Sequence, residues 1–343
     1  MRCINCQERA VIDLRRHNSA FCKQHFVAHF DSQVEKAVRR KEMLQPDDRV
    51  LVAVSGGKDS LVLWDLLSRQ GYDVTGLHIH LGIGEYSGTS HDTTAEFARA
   101  RGLERIVVDL AEAYGMGIPD LALNTGRAAC SGCGLSKRYV MNREAVERGF
   151  DVLATGHNLD DEAATLFGNV LRWQTGYLAR QSPVLEATSL ADEHPPGLIR
   201  KVKPLYTLTE RETAAYALLN NIDYVSEECP NAFGATSLRY KDVLARLELE
   251  SPGTKHNFLL QFVERVQPTL EEADTDEHDL RECLRCGQAT TAEVCSFCRM
   301  WDRARAIATG GRSPQPARRR RRRPRDGGCL KSYTATSSPD SPA

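Results

Sequence analysis

The chain has 343 residues, of which 41% are apolar, enough for one large or two ordinary domains around a real core. No apolar run approaches the roughly 18–20 residues of a membrane span, and "MRCINCQERAVIDLRR" lacks the basic, apolar, small-residue order of a secretory signal, so a cytoplasmic protein with no membrane partner is expected. The net charge of −1 does not by itself point to nucleic acid, and eleven cysteines are many for a reducing compartment, where metal ligation explains them better than disulfides do.

Cys3-x2-Cys6 is followed, fifteen residues on, by Cys22-x2-His25. Two short ligand pairs at this separation are strong spacing for a closed, four-ligand zinc site. The segment has too little apolar material to fold alone, and a four-ligand zinc ion supplies on the order of 10 kcal/mol of apparent folding energy. Residues 1–30 are therefore expected to be a structural zinc module. A grip on RNA is compatible with this.

Strands and helices then alternate, which predicts an open parallel sheet with helices on both faces. "RVLVAV" (Arg49 to Val54) reads as a buried strand and "LVLWDLLSRQ" as a helix ending at Gly71. "DVTGLHI", "RIVVDL" and "DVLAT" are the next three strands, with "TTAEFARARG" and "SKRYVMNREAVERG" as helices between them. The first strand runs directly into "SGGKDS", Ser55 to Ser60. A glycine-rich turn from strand to helix presents free backbone N–H groups at the positive end of the helix, which is a phosphate site. It is not a Walker A loop, because Lys58 is followed by Asp59.

"TGHNLDDEAATLFGNVLRW" follows the strand "DVLAT" and places Gly156 and His157 at the carboxyl edge of the sheet, with Asp160, Asp161 and Glu162 in the first turn of a helix. Acidic residues there serve as ordinary N-terminal caps. Beside a triphosphate they also suit Mg2+ binding or acid–base work.

Three cysteines stand outside the terminal groups: Cys130-x2-Cys133 and the distant Cys229 in "EECPNA". Three thiolates are one short of a structural zinc site. They fit a 4Fe–4S cluster with one open iron, a persulfide-carrying nucleophile with a resolving partner, or buried thiols without function. Near the C-terminus, Cys283-x2-Cys286 and Cys295-x2-Cys298 have the spacing of a small zinc ribbon. The block "ARRRRRRPR" (Ala317 to Arg325) lies in a tail of Gly, Pro and Ser that also holds Cys329, and reads as a solvated arm able to touch a phosphate backbone.

"SGGKDS" resembles the pyrophosphate loop of the ATP pyrophosphatases, which transfer AMP to an oxygen and release pyrophosphate. The resemblance implies nucleotide contacts from Ala53, Ser55, Gly57, Asp59, Ser60 and Gly156, with adenine held near Ile79. The order of the N-terminal Cys/His module, "SGGKDS", "CSGCG", "SKR", "TGHNLDDEA", "EECPNA" and "CLRCG…CSFCRMWD" is similar to the tRNA 2-thiolation enzymes of the TtuA type, from Cys3 to about Asp302. That family implies 4Fe–4S ligation by Cys130, Cys133 and Cys229, catalytic roles for Lys137 and Asp161, ATP with Mg2+, and two zinc ions. It further implies a ubiquitin-like sulfur carrier protein with a C-terminal thiocarboxylate, tRNA as substrate and a homodimer.

The implied chemistry is adenylation of the uracil C2 oxygen and then sulfur transfer, most closely at 5-methyluridine 54 of the T-loop. Wobble uridine 34 and cytidine 32 are the alternatives within the family, and a zinc-bearing RNA-binding protein is the non-enzymatic one. The expected domains are residues 1–30 (zinc finger), 31–270 (catalytic domain with the Fe–S site), 271–310 (zinc ribbon) and 311–343 (basic tail).

Overall fold

The structure is a computed structural model, and it describes residues 1–190, 196–232, 235–273 and 280–310. The basic block and Cys329 lie outside the described residues. A short antiparallel hairpin of β1 (Ile12–Leu14) and β2 (Ser19–Phe21) leads to Cys22, which caps α1 (Lys23–Arg40). Ile12, Leu14 and Phe21 from the hairpin and Phe26, Phe30 and Val34 from α1 join the same buried core as one face of the main sheet.

That sheet is built from β3 (Arg49–Ala53), β4 (Asp73–His80), β5 (Glu104–Asp109) and β6 (Val152–Thr155), with β7 (Val184–Leu185) and, beyond a small hairpin of β8 (Thr188–Ser189) and β9 (Pro196–Leu198), β10 (Arg200–Val202). The strand order is β5-β4-β3-β6-β10-β7. All neighbours run parallel except β7, which pairs antiparallel with β10 at the edge. The parallel sheet expected from the sequence thus carries one reversed edge strand. A two-residue strand with no periodic pattern of its own gives no warning of it.

Helices cover both faces. They are α2 (Lys58–Arg69), α3 (Gly84–Arg101), α4 (Leu110–Tyr114), α5 (Ile118–Thr125), α6 (Ala129–Glu147), α7 (Leu159–Leu171), α8 (Thr175–Ala179), α9 (Glu210–Leu219), α10 (Thr236–Glu250), α11 (Thr254–Gln261) and, after a π-helical turn, α12 (Gln267–Ala273). Central strands buried on both faces send alternate residues to opposite sides. Val50, Val52, Val152 and Ala154 enter one core with α1 and α2, whereas Leu51 and Leu153 enter the other with Leu121 of α5 and Val140 of α6.

The second core also takes in the C-terminal module, made of β11 (Arg281–Glu282), β12 (Ala289–Thr290) and α13 (Ser296–Ala308). Trp301 is fully buried there and its Nε1 donates to Ser136 Oγ at 3.2 Å. The Phe297 ring stacks on Tyr139, centroids 3.6 Å apart. Each face of the sheet therefore carries one cysteine module, and the C-terminal one packs on α6. Among the described residues no helix is long and apolar enough to cross a membrane.

Candidate active site and metal centres

The two terminal cysteine groups fold as their spacing predicts. The donor atoms of Cys3, Cys6, Cys22 and His25 all lie within 4.8 Å of one another, and so do those of Cys283, Cys286, Cys295 and Cys298. In the first, Cys6 and Cys22 sulfurs are 3.7 Å apart and His25 Nδ1 is 3.3 Å from Cys22 Sγ. Desolvation pushes the Cys3 and Cys283 thiols up, but several backbone N–H groups aimed at each sulfur outweigh it and bring both down to about 6. Thiolate is the form that ligates metal, so four clustered donors, one of them in each module already favoured as thiolate, fit a zinc ion.

The pyrophosphate loop joins β3 to α2. Gly56 adopts φ +85°, a conformation open to glycine and strained for other residues. Ser60 Oγ accepts the Ser55 N–H at 3.1 Å and donates to Gly57 O at 2.9 Å, which closes the loop on itself. Ala53 and Ile79, at the carboxyl ends of β3 and β4, lie on the face of the sheet shared with α5 and α6. Gly156 is pressed against this loop: a Cβ there would stand 2.8 Å from the Asp59 carbonyl carbon and 2.9 Å from Ser60 N. Only glycine permits so close an approach.

The acidic triplet after Gly156 divides into separate tasks. Asp160 is buried and paired with Lys255 at 2.5 Å, and it accepts the Glu210 N–H at 2.8 Å. Glu162 is paired with Lys203 at 2.8 Å. Both are committed to the scaffold. Asp161 forms a capping box with Asn158, accepting the Asn158 N–H at 3.2 Å while its own N–H donates to Asn158 Oδ1 at 3.1 Å. Its other oxygen meets Lys241 at 2.6 Å, and Asn158 Nδ2 reaches Asp59 Oδ1 at 3.0 Å. The capping role and the site role thus coexist in one residue.

The internal cysteines meet beside the same loop. Helix α6 starts at Ala129, seven residues before the Ser136 at which the sequence pattern begins, so Cys130 lies in its first turn and Cys133 at the start of its second. The Cys130 thiol donates to Asn231 O at 2.9 Å, which draws in the segment holding Cys229. Upstream in that segment the Val225 N–H donates to Gly56 O at 2.9 Å. One stretch of chain therefore touches both the pyrophosphate loop and the cysteine pair.

The three thiols are not among the groups of donors gathered within 4.8 Å of one another. A cubane holds its ligand sulfurs at separate corners, further apart than the donors of a single tetrahedral ion. Every other cysteine among the described residues belongs to one of the terminal groups, so three is the full set. Cys130 is exposed and the other two are half-buried. Burial pushes the Cys133 thiol up, and Lys137, one helical turn on, pulls it down. Lys137 also acts electrostatically on His157, so its charge is felt at both the cysteines and the turn after Gly156.

Sequence reading missed Tyr86, Lys58, Glu210 and Lys241. Burial pushes the Tyr86 phenol up, and the neighbouring Cys229 and Cys133 thiols add to it. Lys58, Glu210 and Lys241 form ion pairs at the mouth of the pyrophosphate loop. Lys58 stood in the recognised motif, but no local pattern marks the other two, because they arrive from α9 and α10.

Residues 26–234 match the PP-loop domain family, and residues 2–27 match the N-terminal LIM domain of the 2-thiouridine synthetase TtuA. The chain is similar to the tRNA-5-methyluridine(54) 2-sulfurtransferase of Thermus thermophilus, with 55% identity over 88% of this chain and 91% of that protein. The Pyrococcus horikoshii protein of the same name is 42% identical over 88% and 94%. A solved structure, the U34-tRNA thiolase NcsA from Methanococcus maripaludis with its [4Fe-4S] cluster, superposes with a TM-score of 0.74 at 25% identity, covering 88% of this chain and 96% of that one.

Proposed function

We infer that this chain, which belongs to the family of TtuA-type tRNA-5-methyluridine(54) 2-sulfurtransferases built on a PP-loop domain, replaces the C2 oxygen of 5-methyluridine 54 in tRNA by sulfur, consuming ATP. The observation that carries this reading is convergence: one segment that holds Cys229 hydrogen-bonds to both Gly56 and Cys130, and Asn158 of the Asp161 turn reaches Asp59 of the same loop. Position 54 is preferred over the wobble position because the relatives named for it are 55% and 42% identical, against 25% for the U34 thiolase.

A carbonyl oxygen is a poor leaving group, and adenylation corrects this. The C2 oxygen attacks the α-phosphorus of ATP, the bond to pyrophosphate breaks, and the oxygen later departs as part of AMP when sulfur forms its bond to C2. The loop N–H groups with Ser55, Gly57 and Ser60 receive the pyrophosphate end, and Ala53, Ile79 and Gly156 shape the rest of the nucleotide site. Lys137 stabilises charge that develops on the phosphoryl group or the activated oxygen. Asp161 and Asp59, both held by Asn158 and paired with Lys241 and Lys58 at the loop, suit Mg2+ or proton transfer.

Cys130, Cys133 and Cys229 are the residues to hold a 4Fe–4S cluster, which supplies when bound an iron with a free coordination position. The exposure of Cys130 suits delivery of sulfur from outside by a ubiquitin-like carrier protein with a C-terminal thiocarboxylate. In this reading residues 1–30 and 271–310 are zinc modules around a catalytic domain of residues 31–270, and the enzyme works in the cytoplasm as a homodimer.

The test uses Lys137→Ala and Asp161→Ala. Both are expected to abolish thiolation and AMP formation while iron and zinc contents stay at wild-type values. Loss of metal from either variant, or activity retained in both, would contradict these catalytic roles.

A further inference from the structure

At the mouth of the pyrophosphate loop, polar groups from four helices and one cap close into a ring. Lys58 Nζ lies 2.7 Å from Glu210 Oε1 and 3.2 Å from Asp59 Oδ2. Lys241 Nζ lies 2.6 Å from Asp161 Oδ1 and 3.3 Å from Glu210 Oε2. Asn158 completes the circuit, with its side-chain amide on Asp59 and its backbone N–H on Asp161.

Within this ring Glu210 differs from the other two carboxylates. Asp59 and Asp161 each also hold Asn158, whereas both oxygens of Glu210 are spent on the two ammonium groups, one each. Its side chain is 42% exposed, against 18% for Lys58 and 24% for Lys241, so it covers the lysines from the solvent side. Its backbone is fixed behind it by Asp160, itself held by buried Lys255. Two cations flanking a phosphate loop and bridged by one outward anion have the arrangement that two pyrophosphate oxygens would impose. Burial opposes charge on Lys58 and Lys241, but the carboxylates outweigh it and push both pKa values up; burial likewise opposes charge on Glu210, and the lysines outweigh it and hold its carboxyl down.

We propose that Lys58 and Lys241 are pyrophosphate-binding residues and that Glu210 is an internal anion that occupies them until the nucleotide arrives and reclaims them as pyrophosphate leaves. This rests on the reading of Ser55 to Ser60 as the pyrophosphate site. Glu210 thereby lowers the affinity for pyrophosphate and speeds its release. The cost is weaker nucleotide binding; the gain is turnover without product inhibition.

Calorimetric titration of the full-length, metal-loaded protein with Mg·pyrophosphate tests the exchange. Glu210→Gln is expected to tighten binding about three- to tenfold, the scale of one or two half-exposed ion pairs released, and to strengthen inhibition of thiolation by added pyrophosphate. Lys241→Met is expected to weaken binding about tenfold or more with a melting temperature near wild type. In the double variant Glu210→Gln has no lysine at 241 to free, so its tightening is reduced. Unchanged or weaker binding by Glu210→Gln would overturn the proposal, since a ring that only braces the fold gives no route to tighter binding. A melting temperature in Lys241→Met far below wild type, with pyrophosphate affinity intact, would overturn it as well. Absence of pyrophosphate binding by the wild-type protein would instead remove the assignment of the loop itself.

Discussion

Replacing Gly156 by alanine should separate two loops that the fold holds in contact. The added Cβ would stand 2.8 Å from the Asp59 carbonyl carbon, 2.9 Å from its oxygen and 2.9 Å from Ser60 N. All three are backbone atoms, so no side chain can swing aside. Reaching ordinary contact at 3.4 Å needs a movement of about 0.6 Å between the pyrophosphate loop and the Asp161 turn. Gly156 is not among the residues with positive φ, so the effect comes from space and not from backbone conformation. Overpacking of this kind costs about 1–3 kcal/mol, or roughly 1–4 °C in Tm for a chain of this size. A misplacement of order 1 Å between reacting groups costs about a hundredfold in rate, so kcat/KM for ATP should fall by about ten- to a hundredfold. Steady-state thiolation under anaerobic conditions, paired with a thermal scan, measures both. Wild-type kcat/KM in Gly156→Ala, with or without a lower Tm, would refute the claim that this contact sets the site.

Lys255→Met leaves Asp160 as a buried carboxylate without its cation, which should cost about 3–5 kcal/mol and appear in thermal denaturation as a drop of about 4–7 °C; a drop below about 2 °C would mean that Asp160 needs no partner. Trp301→Ala removes a fully buried ring that braces Ser136 on α6, at about 3–5 kcal/mol. Because Cys130 and Cys133 sit in the first two turns of that helix, anaerobically reconstituted iron per chain should fall while zinc at Cys3, Cys6, Cys22 and His25 is retained; full iron content would show that the C-terminal module does not support the cysteine pair.

The features legible in the sequence were those whose physics is local. A buried strand run, a glycine turn and an amphipathic helix follow one another from Arg49 to Arg69, and their order placed the pyrophosphate loop at the carboxyl edge. Pairs of Cys or His ligands with two residues between them fold as tight turns, so both four-donor groups followed from spacing. The start of α6 was less visible, because "AACSGCGL" is small, lacks a capping side chain and carries no helical stripe. What no window of sequence contains is partnership across elements. Asp160, Asp161 and Glu162 are three adjacent acids, yet Lys255, Lys241 and Lys203 from three different parts of the chain give them different work. The same holds for Arg16 of the N-terminal module, whose pair with buried Glu212 at 3.0 Å ties that module to α9.

The central claim is that three cysteines beside the pyrophosphate loop make sulfur transfer to an adenylated uracil possible. Mass spectrometry of nucleosides from unthiolated tRNA, after anaerobic reaction with the metal-loaded enzyme, Mg·ATP and sulfide, tests it most directly when AMP is counted in the same reaction. One sulfur at 5-methyluridine 54 per AMP released is expected, and none from Cys229→Ser protein that keeps both zinc ions. Full thiolation by Cys229→Ser or by iron-free wild-type protein would contradict the claim.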